Sequence, residues 1–302
     1  MRHSPTARRL DLADILQDLR LRAGLSPVEA ARRLDWDPHK VYRIERGDFV
    51  RIRVCDVRSL LDLYGVDDEA ERERILQIAR ESRERGWWSR FRHWASRLPD
   101  LEAGAREILT FDALCVPGLL QTRDYARAVL AAGEFPDMED RVEARMMRQA
   151  ILRRDNPPHL HAIVDEAALR KPVGGPEVMR AQLEALAEAA QLPHITVQVL
   201  PDAVGAHPAM GGAFTVLRLD SGQQFALLET PTGSAVTGNA REEVCRYADL
   251  HARLAGMALS RERSAMYLAS LAASLDATTT RQEGRERGFP RQLKQAVPSA
   301  RF

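Results

Sequence analysis

The stretch LSPVEAARRLDWDPHKVYRIERG, residues 25–47, constrains this chain more than any other. It predicts two short helices with almost nothing between them. Ser26 stands at an N-cap position, Pro27 follows at the first helical position, and Glu29 sits three residues after the cap. Together they make a capping box, with proline where a missing N–H costs nothing. Ala30, Ala31 and Leu34 give this helix a small apolar face that a second helix can approach closely. Asp37 caps that second helix, Pro38 opens it, Val41 and Ile44 form its buried stripe, and Gly47 stops it.

With Val41 and Ile44 inward, the second helix turns His39, Lys40, Tyr42, Arg43 and Arg46 outward. Donors on the first turn and on one exposed face, at the positive end of a helix dipole, are what reading a DNA major groove requires. A solvated amphipathic helix would show a similar basic face. The capped partner helix, the alanine contact and the short turn favour a helix-turn-helix. His39, Lys40 and Arg43 are the expected base-contacting residues. Ser26, Tyr42 and Arg46 are expected on the DNA backbone. Double-stranded DNA is thus the expected partner, and because one such head reads few base pairs, a homodimer on paired half-sites is expected.

Residues 12–65 resemble the phage-repressor-like (Xre-type) helix-turn-helix domain through GLSPVEAARRL, VYRIERG and RSLLDLYGV. The similarity runs on through GWW at 86–88, VPGLLQTRDYARAV at 116–129, DEAALRKPVGGPEVMRAQL at 165–183 and HITVQVLPDAVGAHPAMGGAFTVL at 194–217. These resemble a family of actinobacterial regulators that join such a head to a C-terminal domain of unknown function, often called antitoxin-like. The resemblance implies a phosphate-gripping role for Arg51 and Arg53. It also implies a second use of the chain, in which the C-terminal domain binds a small partner protein encoded nearby and DNA binding serves autoregulation. One position departs from the family pattern: Asp35 stands where glycine is usual, at a backbone site that tends to be left-handed.

At 302 residues the chain has room for two domains, and its net charge of +1 leaves nucleic-acid affinity to a local basic patch. The three cysteines, Cys55, Cys115 and Cys245, are scattered and make neither a disulfide framework nor a zinc motif. No apolar run approaches the ~18 residues of a membrane span, and MRHSPTARRL lacks the apolar core of a signal peptide. A cytoplasmic protein without membrane contact is expected.

In order, the reading gives a flexible arm at 1–10, the helix-turn-helix head at 11–66, a connecting helix and aromatic junction at 67–95, a C-terminal domain at 96–275, and a disordered tail at 276–302. In the head, Leu12, Ile15, Leu16 and Leu19 face inward on a helix stopped by Gly24, and Asp67 caps the connecting helix. In the second domain residues 101–154 read as helical. Strands are expected at 159–164, 195–200, 214–219 and 225–228, with helices at 177–191, 241–251 and 260–274. The fold class is therefore an all-α head followed by an α+β domain with a mainly antiparallel sheet of about four strands.

Candidate sites in the second half are sparse. Trp87 and Trp88, with Phe91 and Trp94, suit either core packing at a domain junction or a ligand or partner surface. His207, in the loop GAHPAMGG, belongs to the same candidate surface, or is a structural loop histidine. His159 and His161 share a strand face without a third metal ligand nearby. No nucleophile elbow, catalytic triad order or paired-carboxylate spacing is present, so neither an enzyme nor a cofactor is expected.

Overall fold

The computed structural model describes residues 5–49, 51–84, 98–133, 135, 137–219, 222–230, 233–237 and 241–287. The head has five helices: α1 (Pro5–Arg22), α2 (Pro27–Arg33), α3 (Pro38–Glu45), α4 (Val54–Leu63) and α5 (Glu69–Glu81). They enclose one core, in which Leu12, Leu16, Ala30, Ala31, Val41, Leu60 and Ile75 are fully buried. Ile15, Leu19 and Leu34 pack against it from the side.

The head's turns share one chemistry. After α1, α2, α3 and α4 the chain takes a left-handed residue, at Gly24, Asp35, Gly47 and Gly65, with φ of 67°, 53°, 65° and 70°. Each time the following N–H reaches back to a carbonyl five residues earlier: Leu25 to Arg20, Trp36 to Ala31, Asp48 to Arg43 and Val66 to Leu61. These are Schellman closures, which satisfy carbonyls that a helix end would leave orphaned. Asp35 is the one non-glycine residue among them, and its positive φ matches the expectation of a left-handed turn there.

Several expected boundaries move. Helix α1 begins at Pro5, taking in residues 5–10 of the expected flexible arm. Within that segment Arg8 pairs with Glu81 at 2.7 Å, and Arg9 donates to the Phe49 carbonyl at 2.9 Å. These long-range partners are invisible to local periodicity. Asp68, not Asp67, caps α5, its carboxylate accepting from the N–H groups of Ala70 and Glu71. Ile75, Leu76, Ile78 and Ala79 of α5 lie in the head's core, so this helix completes the head as well as leading out of it.

The second domain is built on a six-stranded mixed sheet of order β3-β2-β1-β4-β5-β6. Its strands are β1 (Ala105–Asp112), β2 (His159–Asp165), β3 (Ile195–Leu200), β4 (Phe214–Leu219), β5 (Gln224–Thr230) and β6 (Gly233–Thr237). β1, β2 and β3 pair in parallel, while β4, β5 and β6 continue antiparallel from β1. This corrects the expected sheet of about four mainly antiparallel strands. The strand missed at 105–112 is the pivot of the sheet, and the reason is physical. AREILTFD is buried on both faces from Ile108 to Phe111, so it lacks the polar–apolar alternation that marks a half-buried strand.

Helices cover both faces. On one lie α6 (Leu98–Ala103), α7 (Arg123–Ala131), α10 (Pro176–Ala189) and α12 (Arg261–Arg287), packed around Ile108, Leu160, Val164 and Val197. On the other, α11 (Arg241–Met257) packs Val244 and Leu254 against Phe111, Ile163 and Phe214. Between them in sequence fall α8 (Met138–Arg148) and α9 (Glu166–Arg170). Helix α12 extends to Arg287, into the tail expected to be disordered.

Helix α1 serves both domains. Its Leu12 and Leu16 belong to the head's core, while Ala7 is buried in the same cluster as Leu98 and Leu101 of α6. Farther along, Asp14 is hydrogen-bonded to the side chain of Gln223, in the turn between β4 and β5. Burial raises the Asp14 carboxyl pKa and the Gln223 bond opposes that rise.

Candidate nucleic-acid interface

The candidate surface is assembled from the ends of α2 and α3 and the loop before α4. Ser26 accepts from Glu29 N–H at 3.2 Å, and the Glu29 carboxylate accepts from Ser26 N–H at 2.9 Å. That reciprocal pair starts α2 and holds the Glu29 carboxyl below its ordinary range, chiefly through the bond from the Ser26 backbone. Asp37 accepts from His39 N–H at 2.8 Å and starts α3. The burial of Val41 and Ile44 then decides which side chains face out. His39, Tyr42, Arg43 and Arg46 are exposed, as the helical spacing predicts.

Lys40 behaves differently. Its ammonium sits 3.6 Å from the centre of the Trp36 ring and 3.0 Å from the Asp56 carboxylate. Asp56, a buried residue in the first turn of α4, also accepts from Arg53 Nε and Nη2, both at 3.3 Å. One carboxylate thus collects two of the expected DNA contacts. Among the described residues, Arg43, Arg46 and Arg51 have no ion-pair partner, which leaves three exposed guanidinium groups uncommitted.

The loop after α3 is shaped by Ile52, which is buried in the core and throws Arg51 and Arg53 to the outside on either side of it. Behind the surface, Glu45 at the end of α3 is clasped by Arg20 of α1 in a bidentate pair at 2.7 and 2.8 Å. Arg20 also donates to the Leu25 carbonyl at 2.7 Å, tying α1, the α1–α2 turn and α3 into one unit. Sequence reasoning missed Arg20, Glu45, Asp56 and Trp36. The Arg20–Glu45 and Lys40–Asp56 pairs join different elements and no local pattern announces them, whereas Trp36 stands four residues before Lys40, a spacing that was a signal.

Of the other candidate surface, His207 is the residue that the structure describes. Trp87 and Trp88 lie outside the described residues. His207 turns inward: its Nε2 is 3.7 Å from an Asp165 carboxylate oxygen, and its ring meets Phe111 edge-on at 5.5 Å. Of the two strand histidines, His161 Nε2 lies 2.6 Å from Gln198 Oε1. No group of three metal-ligating residues occurs among the described residues.

Two stretches of the chain match protein families. A model described as a domain of unknown function (DUF5753) matches residues 95–270, more than half of the chain. The chain belongs to the DUF5753 family. In this DUF5753 protein a model described as a helix-turn-helix domain matches residues 11–75, which takes in the whole candidate surface and most of α5. That module is the architecture of DNA-binding regulators. No curated protein and no solved structure matches the chain. Among the described residues no helix of this DUF5753 protein is long and apolar enough to cross a membrane.

Proposed function

We propose that this protein is a sequence-specific transcriptional regulator that reads the DNA major groove with α3 as a homodimer. The observation that carries this reading is the outward face of α3. His39 and Arg43 project from a doubly capped helix-turn-helix, with Arg46 and Arg51 uncommitted beside them. His39 and Arg43 contact base edges. A guanidinium presented toward a guanine edge makes two parallel hydrogen bonds, the commonest specific contact in the major groove.

Tyr42, Arg46, Arg51 and Arg53 hold phosphates, which set register and strength without carrying sequence information. Ser26 joins them through its hydroxyl hydrogen, since its oxygen already accepts from Glu29. Lys40, pinned between Trp36 and Asp56, contributes at the edge of the surface and less to base choice than Arg43. The small-partner, antitoxin-like use of the C-terminal domain rests on family resemblance, and no contact described above favours it.

The test is fluorescence anisotropy with DNA from upstream of the protein's own gene against scrambled DNA, at one stated salt concentration, because non-specific affinity depends steeply on salt. The reading requires tighter binding to the upstream DNA. Equal binding to both sequences would overturn it.

A further inference from the structure

A cleft of about 140 Å³ opens in the second domain, beside the parallel–antiparallel junction of the sheet. Its walls come from β1, β2, β4, α6, α7, α8 and the segment between β1 and α7. That segment, VPGLLQT, is rigidly held. Gln121 Nε2 donates to the Val116 carbonyl at 2.7 Å, and Val116 N–H donates to the Tyr125 hydroxyl at 3.1 Å. The fully buried Gln182 donates to the Leu120 carbonyl at 2.8 Å and accepts from Thr122 N–H at 2.7 Å. The cleft is therefore a preformed feature with satisfied walls, as small-molecule sites are.

Its lining has two charged poles. Arg145 and Arg148, one turn apart on α8, supply the positive one. Arg145 donates to Gln121 Oε1 at 2.9 Å, and Arg148 forks onto Glu102 of α6 at 2.7 and 2.8 Å. The negative pole is Asp112 at the end of β1. Its carboxylate accepts from the Thr110 hydroxyl at 2.7 Å, and Thr110 in turn lies 3.1 Å from the Thr215 hydroxyl. The lining also has apolar surface, with Ile108, Leu119 and Leu160. Among the described residues the lining carries two basic and two acidic side chains, a balance that disfavours a simple anion or cation and suits a ligand carrying both charges.

We propose that this cleft binds a free α-amino acid with a small aliphatic side chain. A cavity of ~150 Å³ takes a benzene-sized molecule, so valine and leucine are of the right scale. The carboxylate faces the α8 guanidinium pair, the ammonium meets Asp112 and the threonine hydroxyls, and the side chain lies on the apolar floor. The cleft also has a route to the head. Leu98 and Glu102 line it from α6, and Leu98 shares a buried cluster with Ala7 of α1, the helix that runs into the head's core. Occupancy thereby shifts DNA affinity, a corollary that rests on the DNA-binding reading above.

The full-length protein, without DNA, is melted in the presence of L-valine or L-leucine. Parallel melts use 4-methylpentanoate and 3-methylbutylamine, each carrying one of the two charges. The proposal expects a saturable rise in melting temperature with an amino acid, of roughly 5 °C at a hundredfold excess over the dissociation constant. It expects little rise with the single-charge compounds, and loss of the effect in Arg145→Met and in the near-isosteric Thr215→Val. No rise with either amino acid overturns the site, and so does a rise that survives in a cooperatively melting Thr215→Val. Equal rises with the single-charge compounds overturn the zwitterion assignment. Anisotropy then reads the corollary: a change in DNA affinity of at least roughly fivefold on adding the bound amino acid supports it, and no change overturns it. Failure to bind DNA at all would count against the function of α3, while the melts would still decide the cleft.

Discussion

Arg20 and Glu45, twenty-five residues apart in sequence, form a bidentate ion pair whose side chains are only 6% and 5% exposed. Glu45 ends α3, so this pair fastens α3 to α1. Hydrogen bonding to Glu45 raises the Arg20 pKa, and the guanidinium stays charged at any pH the fold survives. A pair so enclosed is costly to break from one side, because the remaining charge loses its counter-charge and has little water around it. Arg20→Met and Glu45→Leu should each destabilise the head by about 3 kcal/mol, and the double variant should recover part of that loss. Chemical denaturation of the three variants checks this; additive losses would contradict it.

Asp35 is the one residue among the head's four left-handed helix closures that is not glycine. The left-handed conformation costs an L residue roughly 1–2 kcal/mol, less for Asp than for most. Asp35→Gly should therefore stabilise the head by about 0.5–1 kcal/mol, and Asp35→Val should destabilise it by more than that. Melting curves of both variants give the signs directly.

Asp56 pairs with both Lys40 and Arg53, two of the side chains proposed to meet DNA. Asp56→Asn removes one negative charge from the binding surface and releases two positive ones. Affinity for random-sequence DNA should rise, and the slope of log K against log salt should steepen by up to about 2. A shallower slope would mean that Asp56 instead positions these side chains for their phosphates.

His251 is buried beneath the sheet, its Nε2 3.2 Å from the His161 carbonyl oxygen and its ring edge-on to that of His161 at 4.6 Å. Burial, reinforced by the neighbouring His161, lowers its pKa to about 4 from an ordinary 6.5. Between those values the unfolded chain holds a proton that the native protein refuses. Stability is thus unaffected by this group above pH 6.5, falls as the pH drops from 6.5 to 4, and is lower by on the order of 3 kcal/mol below that range. His251→Gln should flatten this part of the stability profile by roughly 2 kcal/mol between pH 7.5 and 4.5. Equal acid sensitivity of variant and parent would contradict the assignment.

The head was legible because its information is local. Ser26, Glu29 and Asp37 make their caps within three residues, and Gly24, Gly47 and Gly65 end helices by their own backbone freedom. The second domain was less so. β1 is covered on both faces and carries no period-two pattern, and β6 follows β5 so closely that its short run GSAVT reads as loop. The expected base and phosphate contacts were placed outward with the exception of Lys40. Its position depends on Trp36 and on Asp56, sixteen residues away in sequence, and the Arg20–Glu45 clasp is equally non-local.

The central claim is that α3 reads sequence through Arg43, and one comparison addresses it. Anisotropy titrations of the parent protein and Arg43→Ala, on the upstream DNA and on scrambled DNA at the same salt, give the ratio of the two affinities. The account predicts that Arg43→Ala loses about 1–3 kcal/mol on the upstream site and far less on scrambled DNA, so the ratio collapses. Equal losses on both DNAs would contradict it and make Arg43 another phosphate contact.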